Sequence, residues 1–321
     1  MRQPALIVVS LGMALERYLW VDQLIPGSIH RPHRVELELG GKGAHVAHAA
    51  RALGAADVRL LGVVGGAPGA QLRSLAEDRP ELHTDLIPGE VATRTCTCLI
   101  DESVSTMTEF YEPATLVSAA EWDQLHERSV TSAATEPGAL VALTGSLPRG
   151  RTSTDLSALV ADLTAAGAVC FVDSAPDNPS VLLRSAPAWL KVNETEACAM
   201  IGSSINSADR VGSAADAART LQDQGAKNVV ITLGAWGSVA LLEDADPLRI
   251  TGEPIERGTA VGSGDCYLAG LMTSLSGGDA PRDALALAAA AATANARHAL
   301  VARFSADELE AALSGTAVHL L

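Results

Sequence analysis

Between Arg257 and Asp265 the chain carries Gly258, Gly262, Ser263 and Gly264 directly ahead of a single carboxylate, and an Ala/Leu-rich run follows. From Asp265 to Leu275 apolar residues recur at helical spacing, which predicts a helix that starts near Gly264. A glycine-rich turn at a helix N-terminus exposes backbone N–H groups, and the helix dipole adds partial positive charge. Such a place suits an anion, most often a phosphate. A carboxylate beside it can take the proton of an incoming hydroxyl. Phosphoryl transfer needs both parts: a base for the attacking hydroxyl, and donors around the charge that develops. The same residues also read as an ordinary turn with Asp265 as a cap residue, because short glycine-rich motifs recur by chance.

Six further polar groups follow apolar runs that read as strands. They are Gly12 to Glu16, Gly40-Gly41-Lys42-Gly43, Thr144-Gly145-Ser146-Leu147-Pro148, Asp173-Ser174, Asn193-Glu194-Thr195-Glu196, and Thr232-Leu233-Gly234-Ala235-Trp236-Gly237. Each has a plain structural reading. Asn193 suits an N-cap with Glu196 at the capping-box position. Gly40 to Gly43 suits a tight turn before a helix, and Gly234 and Gly237 suit a strand end. Gathered on one edge of one sheet, the groups favour a nucleotide site. The chain has neither a GxxxxGK[ST] P-loop nor a strand–GxGxxG–helix unit with a ribose acid.

The elements that must carry these groups alternate. Ala5 to Ser10, Val58 to Val64, Ala139 to Thr144, Val169 to Val172, Trp189 to Val192 and Asn228 to Leu233 are short apolar runs typical of buried strands. Helical patterns cover 44–54, 72–76, 152–166, 194–200, 214–224, 264–276, 281–299 and 306–314. Strand–helix alternation predicts an α/β fold: three layers, α/β/α, around a mostly parallel sheet, with ligands at the carboxyl ends of its strands. Segments at about 12–38 and 92–113 alternate polar and apolar residues instead, as strands covered on one face do. They predict a separate small β-sheet, a lid made from two excursions of one domain spanning 1–321.

Composition narrows the partners. The 321 residues carry 38 acidic and 23 basic side chains, a formal net charge of −15, which argues against nucleic acid and anionic membranes. Only 3% of residues are aromatic, so the core must be built from Ala, Val, Leu and Ile. No apolar run is long and charge-free enough to span a membrane. Five scattered cysteines and no secretory signal predict reduced thiols in a cytoplasmic protein. Cys96-Thr97-Cys98 reads as two strand residues on one face.

The order of these pieces resembles the ribokinase-like (PfkB) carbohydrate kinases, in particular the branch with 1-phosphofructokinase and tagatose-6-phosphate kinase. The resemblance runs over nearly the whole chain. It rests on Gly40-Gly41-Lys42-Gly43-Ala44 with Leu53-Gly54, Gly145-Ser146-Leu147-Pro148, Asn193 with Glu196, Leu233-Gly234 with Gly237, and Val261 to Asp265. It implies ATP- and Mg2+-dependent transfer of the γ-phosphoryl group to a hydroxyl of a sugar phosphate. Asp265 would be the base, and the N–H groups of Gly262, Ser263 and Gly264 the anion hole. Asn193 and Glu196 would organise Mg2+ through water. Thr232, Gly234 and Gly237 would line the nucleotide, with Asn295 near the adenine. Arg94, Lys42 and Arg31 would hold a phosphate already on the sugar, with Glu16, Gly40, Gly41, His45 and Ser146 completing the acceptor site. Relatives often pair through the lid, which makes a homodimer an expectation and brings Arg31 toward a neighbouring subunit's site.

Two residues depart from that branch. Its segment after the first strand normally carries an Asp that binds sugar hydroxyls, where this chain has Glu16. Its usual Asn after the glycine-rich turn is His45 here. Both changes fall on sugar recognition, where altered polar partners shift preference by orders of magnitude. They leave a kinase of an unphosphorylated sugar or nucleoside as the alternative. A non-catalytic sugar-phosphate sensor is a third reading, which the intact Asp265, Gly262 and Gly264 oppose.

Overall fold

The computed structural model describes residues 3–255 and 258–321; Arg257 lies outside them. The first part of the chain runs β1 (Leu6–Ser10), β2 (Ala14–Val21), β3 (Arg34–Gly40), α1 (Lys42–Ala52), β4 (Val58–Gly65), α2 (Gly66–Glu77), β5 (His83–Gly89), β6 (Thr95–Asp101), β7 (Thr106–Tyr111) and α3 (Ala119–Ala134). There follow β8 (Leu140–Thr144), α4 (Ser153–Ala165), β9 (Val169–Asp173), α5 (Pro179–Leu183), β10 (Trp189–Asn193), α6 (Glu194–Ile201), α7 (Arg210–Asp223) and β11 (Asn228–Thr232). The chain ends with β12 (Ser238–Leu241), β13 (Leu248–Thr251), α8 (Ser263–Gly277), α9 (Pro281–Asn295), α10 (Ala306–Ser314) and β14 (Ala317–Leu320).

Among the described residues these strands form two sheets. The larger has the order β14-β13-β12-β11-β10-β9-β8-β1-β4-β5, parallel from β11 to β5 and antiparallel at the β12–β14 end. Strand β1 shows why its sequence is continuously apolar. Leu6 and Val8 enter one core and Ile7 and Val9 the other, so both faces are buried. Helices α1, α2, α8, α9 and α10 cover the first face, and α3 to α7 the second. The Ala-rich helices α8 and α9 approach closely. A Cβ on Gly270 would lie 2.8 Å from the Cα of Ala288. Small residues thus fill the core that the scarce aromatics leave to aliphatics.

The chain leaves β1 for β4 and β5 on one side, then returns to β8 on the other. The β1/β8 boundary is therefore a topological switch point, where a crevice opens at the carboxyl ends of the strands. Register places Ser10 opposite Thr144, Thr144 opposite Asp173, and Asn193 opposite Thr232 along that edge.

The smaller sheet has the order β3-β2-β6-β7. Its strands β2 and β6 are parallel, and the outer pairs antiparallel. Tyr18, Trp20, Cys98 and Ile100 form its buried face, against Ala299 and Leu300. Cys96 and Cys98 both point inward from β6, as their spacing predicts.

Several elements escape the sequence patterns. Strand β5 forms the sheet edge, where Pro88 is tolerated and only Leu86 and Ile87 are buried. Helix α3 has a legible start, because Ser118 and Glu121 form a reciprocal capping box. Strand β14 is four residues long. Helix α9 ends at Asn295, not at 299, because the Asn295 Oδ1 accepts the backbone N–H of Ala302 and turns the chain.

Candidate active site

Asp265 lies in the first turn of α8 and is 5% exposed. Its Oδ2 is 2.9 Å from the Nδ1 of His45, on the first turn of α1. The other ring nitrogen of His45, Nε2, lies 2.9 Å from Glu16 Oε1 and 3.0 Å from Oε2. The Tyr18 hydroxyl donates to Glu16 at 2.7 Å, and the Gly41 N–H donates to it at 3.1 Å. Period-two geometry puts Glu16 and Tyr18 on the same face of β2, and the pairing of Ala14 with Gly40 brings Gly41 alongside. A Cβ on Gly40 would run into the Glu16 side chain. At Gly41 the backbone has φ 90°, and a Cβ there would strike the Gly12 carbonyl oxygen. Glycine at 40 and 41 is therefore what lets α1 start against Glu16 and deliver His45.

Burial opposes the charge on Glu16, but the facing His45, with Tyr18 and the Gly41 N–H, lowers its pKa to about 2. Burial likewise opposes a charge on His45, and Glu16 and Asp265 reverse it, so that the imidazole pKa rises well above 6.5. Two flanking carboxylates offer only acceptors, and both ring nitrogens then donate.

A second charged group runs beneath the strand ends. Lys42 Nζ is 3.3 Å from both Asp173 Oδ1 and Glu196 Oε1, and Lys191 Nζ donates to Asp173 Oδ2 at 2.7 Å. Asp173 is fully buried; burial raises its carboxyl, and Lys191 and Lys42 hold it below the ordinary range. Burial disfavours the Lys42 ammonium, but Asp173, Asp265 and Glu196 more than offset this and raise its pKa. Lys191 also touches the glycine-rich turn: a Cβ on Gly264 would lie 2.9 Å from its ammonium. The signal for Lys191 was a lone cation inside the apolar strand WLKVN.

The turn before α8 is tightly built. Gly262 has φ 72°, and a Cβ there would strike Val301. The Ser263 N–H donates to the Ala260 carbonyl at 3.1 Å, so it is engaged inside the turn. Asn295 is fully buried. Its Nδ2 donates to the Val261 carbonyl at 2.8 Å and to Ser263 Oγ at 3.2 Å. With Oδ1 taken by Ala302, its amide is occupied in tethering the turn, a role that the expected place near an adenine did not foresee.

Asn193 and Glu196 form the reciprocal capping box that their spacing allows, each bond 2.9 Å long. Thr232 closes β11; after it Gly234 opens a single exposed 3-10 turn (Gly234–Trp236), and Gly237 caps it. At the switch point Arg94, Ser146, Ser10 and Gly12 line a cleft. The Arg94 Nε and the hydroxyls of Ser10, Thr144 and Ser174 are buried without a hydrogen-bond partner among the described residues. Lys42, expected beside Arg94, does not line this cleft and points its ammonium at Asp173 and Glu196 instead. Arg31 is exposed in the β2–β3 loop. That loop lies at the Trp20–Arg34 end of the hairpin, about 20 Å along the strands from the Ala14–Gly40 end.

The family model for "pfkB family carbohydrate kinase" matches residues 6–307. The chain belongs to this family. It is 30% identical over 275 residues to a 1-phosphofructokinase of Xanthomonas campestris, covering 84% of this chain and 83% of that protein. It is 27% identical to the ATP-dependent 6-phosphofructokinase isozyme 2 of Escherichia coli, with 83% of each chain covered. Its fold is similar to that of the E. coli phosphofructokinase-2 solved in complex with potassium, with a TM-score of 0.87, 24% identity, and 97% and 98% of the two chains covered. The pfkB kinase transfers a phosphoryl group to a hydroxyl, and its three-layer fold is that of the ribokinase-like enzymes. Among the described residues no helix is long and apolar enough to cross a membrane.

Proposed function

We propose that this protein is an ATP-dependent, Mg2+-dependent kinase of a sugar phosphate, of the 1-phosphofructokinase or tagatose-6-phosphate kinase type. The observation that carries the substrate class is Arg94. In a chain with net charge −15, its guanidinium has no carboxylate partner among the described residues, and it lines the cleft at the switch point. Its Nε is buried and unpartnered. A buried cationic donor left open favours an anionic group on the substrate.

Asp265 is the base of this reading and receives the acceptor hydroxyl's proton. The glycine turn of Gly262 and Gly264, with Ser263, closes around the transferring group, and the start of α8 stabilises its charge. Lys42, paired with Asp173 and Glu196, would bring positive charge beside the phosphates of the nucleotide. Asn193 and Glu196 would hold Mg2+ through water, and the metal when bound neutralises phosphate charge. Thr232, Gly234 and Gly237 would take the nucleotide along the exposed turn after β11. The site test is ATP consumption across a panel of sugars, sugar phosphates and nucleosides with Mg2+ present. Selective turnover of fructose 1-phosphate, fructose 6-phosphate or tagatose 6-phosphate is expected. No turnover with any acceptor would overturn the kinase reading in favour of a sensor.

One observation favours a neutral sugar or nucleoside as the second reading. Of the three basic residues expected around a substrate phosphate, Lys42 is paired with carboxylates and Arg31 is remote from the cleft. The panel separates the two readings. A homodimer through the small sheet fits its exposed apolar residues: Ile29 is 84% exposed, Phe110 60% and Tyr111 58%. Such a pairing would let Arg31 serve a neighbouring site. Five free thiols fit a reducing, cytoplasmic setting.

A further inference from the structure

Glu16 and His45 are the two places where the chain departs from the pattern it otherwise resembles, and the structure joins them directly. His45 Nε2 lies 2.9 Å from one Glu16 oxygen and 3.0 Å from the other. On its far side His45 reaches Asp265 at 2.9 Å. We propose that His45 is a positioning residue that fixes the carboxylate of Asp265, and that Glu16 serves His45 instead of the sugar, so that the two departures act as one unit. The inference rests on the reading of Asp265 as the base.

Three arguments lead there. Glu16 is engaged from within the protein: Tyr18, Gly41 and His45 supply donors to both of its oxygens, and the Gly40 backbone packs against its methylenes. Its two oxygens are thereby turned toward protein donors and not toward the acceptor. The side-chain lengths are also matched. An Asp at 16 would withdraw the carboxylate by one carbon–carbon bond, about 1.5 Å, and break the contact with the ring. An Asn at 45 has donors at only one end of its amide, so it cannot donate to carboxylates on both sides as a cationic imidazole does.

The third argument concerns the base itself. His45 engages Oδ2 of Asp265, and among the described residues this is the only side-chain hydrogen bond to the Asp265 carboxylate. Oδ1 is thereby left to receive the hydroxyl proton. As the substrate O–H bond breaks, the proton settles on Oδ1 while His45 keeps both of its own. A carboxylate pinned at one oxygen has lost the rotation that would turn its other oxygen away, which is the benefit a catalytic base draws from its supporting shell.

A double-mutant cycle tests this: wild type, Glu16→Asp, His45→Asn, and the pair together, each assayed for kcat and KM and for thermal unfolding. Each single change should lower kcat about tenfold or more with little change in KM for ATP. The double variant should lose no more than about threefold beyond the worse of the two single variants, because removing a second member of one network adds little once the first is gone. Effects that multiply in the double variant, or an unchanged kcat in His45→Asn, would overturn the inference. NMR of wild type with 15N-labelled histidine reads the same contacts without turnover. Two slowly exchanging, downfield ring N–H protons are expected from His45, one lost in Glu16→Gln and the other in Asp265→Asn. Fewer than two in the wild type at neutral pH would also overturn it. If no acceptor is phosphorylated, the kinase reading falls, and the NMR signals with the coupling in thermal unfolding still decide whether the three side chains form one unit.

Discussion

Lys191 donates to Asp173 at 2.7 Å inside the sheet, with its side chain 5% exposed and that of Asp173 fully buried. The pair lies beneath the glycine-rich turn and is shared with Lys42. Breaking such a pair leaves an uncompensated buried charge, which costs about 3–5 kcal/mol. Lys191→Met should therefore lower the urea midpoint strongly. Lys191→Met with Asp173→Asn should lose less than the sum of the two single changes. Simple additivity in urea titrations would show that Lys191 and Asp173 are not coupled.

Asp265→Asn should lower turnover by about 10²–10⁴-fold, the usual worth of a positioned base. Nucleotide binding measured by calorimetry should stay detectable. Near-wild-type turnover would remove Asp265 from the role of base.

Arg94→Ala should raise KM for a phosphorylated acceptor far more than KM for ATP. The loss for the acceptor should be about 10-fold or greater, the scale of a lost charge-assisted hydrogen bond. Equal effects on both substrates would assign Arg94 a structural task.

The Glu16–His45 pair has a defined pH window. Burial pushes Glu16 up, but His45 and its other donors hold it at about 2, below the ordinary 4.5. A depressed carboxyl contributes stability above 4.5 and loses it as pH falls toward 2. Burial pushes His45 down, but Glu16 and Asp265 lift it well above 6.5. A raised histidine contributes fully below 6.5 and loses that contribution as pH rises through its folded value. The groups facing the ring are Glu16 with Tyr18 behind it on β2, Asp265 on α8 with Lys42 nearby, and His48 along α1. Urea midpoints of wild type and a Glu16→Gln/His45→Gln variant should differ most between pH 4.5 and 6.5 and draw together as pH rises through the folded value of His45. A gap that is constant across this range would mean that the pair is not ionised as described.

Gly262→Ala places a side chain at φ 72° and against Val301. The strain should cost about 1–3 kcal/mol. If the turn receives the transferring phosphoryl group as proposed, turnover should fall further than stability alone explains. A variant with wild-type kcat would show that the turn tolerates displacement.

Much of the fold is legible in the sequence, because strands and helices leave local, periodic traces. The apolar runs of β1, β4, β8 and β11 and the alternation in β2, β3, β6 and β7 are such traces. So are the capping box of Asn193 with Glu196 and the glycines before Asp265. Edge strand β5 left none, since a strand buried at two positions need not alternate.

The sequence by itself determined the layered α/β fold, the small second sheet, the family, and the edge on which the polar groups collect, all through patterns a few residues long. Only the tertiary structure decided what those groups touch. His45 meets a carboxylate 220 residues away, and Lys42 meets two that are 131 and 154 residues away. Asn295 turns inward to hold a loop 34 residues back. Contacts at such separations follow from how strands cross over and helices pack, and they leave no periodic mark in the chain. For that reason Glu16 and His45 read singly as altered sugar contacts, and together in space as one charged support for Asp265.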